Sequence, residues 1–269
     1  MKSAKVFLSL LPLLILSSCG KGAPLSREDY SDGESGETAE RVSDLKEEDY
    51  PLFPAKFARH LSALSSYKAV TKGQTKAHVL IVDATQSIDV TLIKGEYSFL
   101  KNESHGDYAN TFHESYFHGE EALLRDSASS EFSKKPLSEY KDTYGVYPFD
   151  PSIEGYGIGE GMVRTVEKVD AEVGYAFKMV FEPKKATNNV RIQMKKFGGL
   201  DDYPSFSKIH ITVTVQDDYS PISTHVEASY KAKKVVETDC RQTYDVTYSD
   251  INGTVEPPNL AEIREQYQF

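Results

Sequence analysis

The chain has 269 residues and a formal net charge of −10 at neutral pH, with 41 acidic side chains against 31 basic ones. That length is enough for one large domain or two small ones. The acidic balance disfavours nucleic acid as a partner, because phosphates need Lys and Arg for neutralisation, and it equally disfavours adsorption to anionic lipid headgroups.

The N-terminus predicts an export signal over residues 1–18. Lys2 and Lys5 precede a short apolar run, and small residues lead into Cys19. This order is typical of a secretory signal, and the run is shorter than the ~20 apolar residues that span a bilayer. The tetrapeptide LSSC, which ends at Cys19, resembles the bacterial lipobox, whose cysteine receives a diacylglyceryl group and becomes the first mature residue. The resemblance implies an extracytoplasmic protein anchored through lipid on Cys19 to the outer face of the cell membrane.

Residues 19–50 predict a lipidated cysteine followed by a disordered acidic linker. Residues 20–49 carry ten acidic side chains against four basic ones and few large apolar residues. Such a segment buries too little surface to offset its ordering entropy. We therefore expect a tether before a single domain over residues 51–269. Because Cys19 is committed to lipid, Cys240 has no disulfide partner and is expected to be an inert, partly buried thiol.

The domain begins with a predicted helix over residues 51–67. Phe57, Leu61 and Leu64 fall on one helical face, and Pro54 suits a first-turn position. A helix this short and one-sided has to cover another element.

The rest of the chain alternates mainly between apolar and polar residues, which predicts strands with one buried face. The segments with this pattern are residues 87–93, 97–99, 112–116, 174–181, 209–215, 222–230 and 242–248. Short turns between successive strands predict an antiparallel meander.

Three further helices are predicted among these strands. The first ends at Gly145 and buries Leu137, Tyr140 and Tyr144. The second covers residues 190–197, where a strand is the competing interpretation and the two glycines that follow favour the helix. The third follows Asn259, whose spacing to Glu262 resembles a capping box.

Together these elements predict an α+β domain, a curved antiparallel sheet with short helices packed on one face. The order of lipobox, linker, leading helix and strand meander resembles envelope proteins of the LolA/LppX/LprG type, which are unclosed half-barrels. That resemblance implies a cavity for apolar ligands between the helices and the concave face of the sheet. The residues expected to line it are Phe57, Leu61, Leu64, Tyr175, Phe177, Phe181, Ile211 and Val213.

Motifs for other chemistry are weak. The glycine-rich segment 155–161 has Glu160 where a dinucleotide fingerprint needs glycine, so we interpret it as a mobile flap or loop beside the sheet. His105, His113 and His118 cluster with carboxylates, but His113 and His118 point to opposite faces of a strand, so we predict no metal and no cofactor. No nucleophile elbow or zinc-protease helix occurs, and no enzymatic activity is expected.

Two main functional hypotheses follow. In the first, the chain is a surface lipoprotein that binds a lipid or other apolar ligand. In the second, it is a protein-interaction or scaffold module of the cell envelope with a solid core. A metal-dependent activity around residues 105–121 is a weaker third. A cavity of ~300 Å³ or more between helix and sheet, the lower end for ligand pockets, separates the first two.

Overall fold

The computed structural model describes residues 40–79, 82–107, 110–144, 149, 152–198, 200–234 and 236–269. The predicted signal over residues 1–18, the lipidation site Cys19 and the first part of the predicted linker lie outside the described residues.

Eleven strands form one antiparallel sheet, in the order β6-β5-β4-β3-β2-β1-β11-β10-β9-β8-β7. The strands are β1 (Tyr67–Val79), β2 (Val82–Lys94), β3 (Ser98–Ser104), β4 (Thr111–His118), β5 (Glu121–Arg125), β6 (Ser133–Pro136), β7 (Val163–Val169), β8 (Tyr175–Phe181), β9 (Ser205–Val215), β10 (Pro221–Lys234) and β11 (Val236–Ser249).

The order of the strands explains how the chain is threaded. Strands β1 to β6 step outward to one edge, the chain then crosses to β7 at the other edge, and β7 to β11 step back until β11 pairs with β1. The sheet is therefore an unclosed half-barrel, and the segment between β6 and β7 has to pass from one edge to the other. The predicted α+β class and the curved antiparallel meander are confirmed.

Strand β11 shows why alternation predicted the sheet correctly. Tyr244 and Val246 are buried on its inner face, whereas Thr243 and Asp245 between them are exposed. Because side chains alternate across a strand, one face of the sheet forms the core and the other remains in water.

The α-helices in the described part of the chain are α1 (Phe53–Ala63), α2 (Leu137–Tyr144), α3 (Pro183–Ala186), α4 (Asn188–Gly198) and α5 (Leu260–Tyr267). Helices α1 to α4 contribute to the large core on the inner face of the sheet. The helix predicted over residues 190–197 is confirmed as α4. Helix α5 is the exception to the prediction that all helices share one face: Ile263 packs with Ile93, Phe99 and Tyr116 in a separate cluster on the outer face.

The capping box predicted at the start of α5 is wrong. Asn259 has a left-handed backbone, with φ of 54°, and its side chain makes no capping hydrogen bond. An N-cap side chain reaches the first-turn amides from an extended backbone, so this conformation does not present the amide oxygen to them.

The C-terminal part of the predicted linker is structured. Residues Val42–Asp44 and Glu47–Leu52 form 3₁₀ helices, and Val42 is fully buried. The Val42 amide donates to the Asp217 carbonyl at 2.8 Å, and the Ser43 amide donates to the Asp217 carboxylate at 2.8 Å. The linker boundary predicted at residue 50 therefore lies too far along the chain, because packing against the domain already begins near residue 40.

Candidate functional site

The interface between α1 and the sheet is apolar and closely packed. The ring of Phe53 stacks on that of Phe177 with centroids 4.0 Å apart, and Tyr50 meets Phe177 edge-on at 5.5 Å. Phe57 lies parallel to Phe53 at 6.0 Å. Aromatic contacts of this kind add stabilisation beyond the area they bury.

The eight residues expected to line a ligand cavity therefore pack mainly as core. Phe57, Leu64, Phe177, Phe181, Ile211 and Val213 are buried. Leu61 and Tyr175 are half-buried, and Lys168 places its ammonium 4.8 Å from the centre of the Tyr175 ring. Leu61 is the one of the eight that borders the cavity beneath α1. A ligand-lining role for the set stays a prediction.

The cavity beneath α1 has a volume of about 20 Å³. Its walls are apolar near α1 and β2, and polar at the end formed by Thr71, Ser152, Glu154 and Tyr248. This volume holds one water-sized group, since a water needs at least ~10–15 Å³. The space is well below the ~300 Å³ of a ligand pocket, so a larger ligand requires α1 and its neighbours to move away from the sheet.

A tight turn in the crossover segment supplies the acidic end of this cavity. The Ile153 and Tyr156 backbones exchange hydrogen bonds of 3.2 and 2.9 Å, and Glu154 and Gly155 between them have φ of 51° and 78°. Positive φ at both central positions is typical of a type I′ turn, in which Gly155 fits and a glutamate is strained. This turn places the Glu154 side chain inside the half-barrel, where Tyr248 donates a hydrogen bond to it.

Glu154 is a carboxylate almost without contact with water. It is 5% exposed, and one carboxylate oxygen accepts a hydrogen bond from the Tyr248 hydroxyl at 2.7 Å. Burial raises the pKa of Glu154 to about 7, while the Tyr248 hydrogen bond and the neighbouring Thr224 hydroxyl partly oppose that rise. Desolvation dominates because a charged carboxylate loses its hydration inside the protein.

Further polar atoms around Glu154 are buried without partners. Within the described part of the chain, the second Glu154 oxygen and the hydroxyls of Tyr156, Thr224 and Tyr244 have no partner in hydrogen-bonding geometry. Tyr156 and Tyr244 nevertheless lie near enough for a weak side-chain hydrogen bond between them, as do Thr224 and Glu154, and burial raises the pKa values of both tyrosines well above normal. We call Glu154, Tyr156, Thr224, Tyr244 and Tyr248 the interior polar cluster.

Sequence reasoning missed this cluster. Segment 155–161 was interpreted as a mobile flap because its glycines lack side chains that pack. The interpretation is wrong for residues 155–157, which are buried, whereas Gly159, Glu160 and Gly161 are exposed. The missed signal is that Tyr156 and Ile153 flank a Glu-Gly pair, which is an apolar setting for a turn that enters a core.

A second group of interest is a hydrogen-bonded relay on β4 and the end of β5. Ser115 Oγ lies 2.6 Å from His113 Nε2, and His113 Nδ1 lies 2.7 Å from an Asp126 oxygen. The hydrogen bond from His113 lowers the pKa of Asp126. The order Ser-His-Asp is that of a nucleophilic triad, and the spacing of His113 and Ser115 on one face of a strand could have indicated it.

The relay borders an open groove of about 700 Å³, whose walls include His113, Asp126 and Tyr144. Ser115 does not line this groove and is fully buried. The hydroxyl that would attack a substrate therefore lies on the closed side of the relay. In this arrangement the relay provides hydrogen-bond partners for the buried Ser115 and His113 side chains and fixes the orientation of the His113 ring.

Of the three histidines expected to cluster, His105 and His113 border the same groove, and His118 does not. His118 stacks on Tyr97 at 4.2 Å, away from His113. Over the described ranges, no three His, Cys, Asp or Glu side chains are arranged to hold a metal ion. Cys240 is buried, and burial raises its pKa to about 12, so the thiol is inert as predicted. None of the helices that the structure describes is both long and apolar enough to cross a bilayer.

No protein-family model matches the sequence. No curated protein matches it either. Similar solved structures include LprF from Mycobacterium bovis, with a TM-score of 0.41 and 11% identity over 79% of this chain and 97% of that one. They also include a LolA-superfamily protein from Nitrosomonas europaea, with a TM-score of 0.28 and 11% identity over 80% of this chain and 99% of that one. At these values neither structure informs on the function of this chain.

Proposed function

We propose that the chain is a lipoprotein of the cell envelope that binds an amphipathic, largely apolar ligand between α1 and the concave face of the sheet. Lipid on Cys19 anchors it to the outer face of the membrane, and the segment after Cys19 spaces the domain from the bilayer. We infer a binding role rather than a catalytic one, because the relay of Ser115, His113 and Asp126 in the described part of the chain keeps Ser115 away from the groove beside it.

The observation that carries this proposal is the interior polar cluster beneath an apolar cover. A buried polar group without a hydrogen-bond partner costs about 1–3 kcal/mol. A core selected only for stability would place apolar side chains there, as it does around Phe177. Polar groups kept at such a cost suit a site where a bound molecule provides the partners.

The cover is built so that it can separate from the sheet. It consists of α1, which is a separate segment and is not hydrogen-bonded into the sheet as a strand. Helix α1 contacts the sheet through side chains such as Phe53 and Phe57, so its displacement breaks packing but no strand ladder. An acyl chain entering there would replace one apolar contact with another.

Native mass spectrometry of the protein purified from its own membranes tests this proposal. We expect a mass increment from a co-purified amphiphile that is lost on organic extraction. The matched control is Cys19→Ala, in which any lipid that remains is bound non-covalently in the interior. A protein that carries no non-covalent lipid, and that binds none when incubated with lipid extract, contradicts the proposal.

The alternative is an interaction or scaffold module without a ligand. Two observations favour it: Phe53 stacks closely on Phe177, and the cavity of about 20 Å³ beneath α1 is far smaller than the ~300 Å³ of a preformed ligand pocket. It predicts that every preparation is free of lipid and that residues of the interior affect stability alone.

A further inference from the structure

The interior polar cluster has a definite chemical bias. Its members offer one carboxylate and several hydroxyl oxygens, and no Lys, Arg or His is among the residues lining the cavity beside Glu154. A phosphate or carboxylate entering this cavity would meet the Glu154 charge without any cation to offset it. The cluster therefore suits a group that donates hydrogen bonds and carries positive charge.

We propose that the polar end of the bound amphiphile is a primary ammonium, held by the Glu154 carboxylate and the tyrosines around it; this rests on the binding function proposed above. An ammonium has three donors and no acceptor. One donor meets the Glu154 oxygen that accepts no hydrogen bond from Tyr248, and the Thr71 and Ser152 hydroxyl oxygens, which line the same cavity, are acceptors for the others.

The size and walls of the cavity fit this group. The cavity of about 20 Å³ beside Glu154 accommodates an ammonium, which is close to water in size, without displacement of the residues that line it. The rings of Tyr67 and Tyr248 both line the cavity, with centroids 6.1 Å apart. An ammonium that lies over the face of either ring gains additional attraction from that ring.

The apolar residues of the cavity wall indicate the path of the ligand's alkyl chain. Leu61, Val90 and Leu92 border the same cavity on the side of α1 and β2. An alkyl chain attached to the ammonium would leave the acidic end along these side chains and pass beneath α1. The ligand class is therefore an alkylamine or an amine-bearing lipid.

Ionisation of Glu154 makes the recognition dependent on pH. With a pKa of about 7, the ionised fraction rises about tenfold from pH 6 to pH 8. The titratable groups that face it are tyrosines, and burial keeps the pKa values of Tyr156, Tyr244 and Tyr248 well above this range. An alkylamine, like lysine with a pKa of ~10.4, stays charged throughout. Affinity for the amine should thus increase about tenfold between pH 6 and pH 8.

The experiment compares three probes that share a twelve-carbon chain: dodecylamine, dodecanol and dodecanoate. Each is titrated calorimetrically, below its micelle-forming concentration, into the full chain carrying Cys19→Ala so that no detergent is needed. The variants are Glu154→Gln and the matched control Glu160→Gln, which removes the same charge from an exposed position in the same loop.

We expect dodecylamine to bind at least tenfold more tightly than the other two probes, and Glu154→Gln to lose that preference while Glu160→Gln keeps it. Because the protein is acidic, binding of the amine to the surface is the main competing explanation, and it would respond equally to both substitutions. If Glu154→Gln fails to fold, the pH dependence of dodecylamine binding to the chain that keeps Glu154 provides a second measurement. Equal affinity for all three probes, tighter binding of dodecanoate, or a flat pH profile overturns the ammonium subsite and leaves the binding function standing. Absence of binding by all three overturns both.

Discussion

The Tyr248 hydroxyl donates a 2.7 Å hydrogen bond to the Glu154 carboxylate, joining residues 94 positions apart. Tyr248 lies near the end of β11, whereas Glu154 lies in the segment that crosses between the two edges of the sheet. This contact fastens the crossover to the inner face of the half-barrel. It also places a titratable group where its protonation affects folding.

The first prediction concerns pH and stability. Folding raises the Glu154 pKa from 4.5 to about 7, so the native state holds this proton more tightly than the unfolded state does. Its contribution is complete below about pH 4.5 and is lost as the pH rises through about 7. At 1.36 kcal/mol per pKa unit the loss amounts to about 3 kcal/mol. Glu154→Gln should remove this fall.

Urea unfolding at pH 4.5, 6 and 8 measures the effect as the difference between the unmodified chain and Glu154→Gln. The carboxylates whose pKa values are lowered by folding contribute equally to the pH dependence of both proteins, so their contribution cancels in this difference. Glu160→Gln is the control and should keep the unmodified slope. If Glu154→Gln and the unmodified chain have parallel pH profiles, Glu154 is not buried as described.

The second prediction tests the contact itself. Tyr248→Phe removes the hydroxyl donor, so the Glu154 oxygen that accepts this hydrogen bond loses its partner. We expect a loss of about 1–3 kcal/mol in the free energy of unfolding, because a buried group is left unsatisfied. Tyr203→Phe, at a residue that is 51% exposed, serves as the control and should have almost no effect. Equal effects of the two substitutions would argue against the buried hydrogen bond.

The sheet could be predicted from the sequence because its signal is local. The alternation in β9, β10 and β11 is visible within ten residues, and a buried inner face follows from it directly. Helix α4 was distinguishable from a strand by the glycines after it. The site was less predictable, because burial of Glu154 depends on a crossover that only the pairing of β1 with β11 makes necessary. The local signal is limited to the apolar Ile153 and Tyr156 on either side of the turn, which does not specify that Glu154 lies inside the half-barrel.

At two other places the structure differs from the prediction because a long-range contact is not visible in the local sequence. Val42 lies in a segment whose charge and serine content predict disorder, and it is ordered by hydrogen bonds to the distant Asp217. Helix α5 has an ordinary apolar stripe, which does not specify the face of the sheet that it covers. In both cases the long-range partner, and not the local pattern, decides the outcome.

The third prediction addresses the structured end of the linker. Val42→Ala removes two buried methyl groups and should lower the free energy of unfolding by about 1–2 kcal/mol, at ~0.8 kcal/mol per group. Val173→Ala, at a residue that is 67% exposed, is the matched control. Thermal unfolding of both variants measures the difference. Identical melting temperatures would show that the segment at Val42 does not contribute to the domain.

The fourth prediction concerns the anchor. Cys19→Ala should release the protein from membranes while the domain stays folded, since lipid on Cys19 is the proposed attachment. Membrane fractionation after a salt wash, followed by circular dichroism of the released protein, measures both properties. Cys240→Ala is the control, and it should stay membrane-bound. A Cys19→Ala protein that remains with the membrane contradicts the lipobox assignment.

The last prediction separates a ligand-binding interior from a solid core at Phe177. This ring stacks on Phe53 at 4.0 Å and is fully buried, so Phe177→Ala should cost about 3–5 kcal/mol if the core is solid. If the cover separates from this face to admit an alkyl chain, the bound ligand contributes part of that packing. Phe177→Ala should then lose retained amphiphile, and the stability difference between variant and unmodified chain should shrink after both are delipidated. Denaturant unfolding with and without organic extraction, together with native mass spectrometry, provides these values. A variant that is equally destabilised in both states, from a protein that carried no lipid, supports the scaffold alternative. A folded variant that keeps all of its lipid excludes Phe177 from the ligand site.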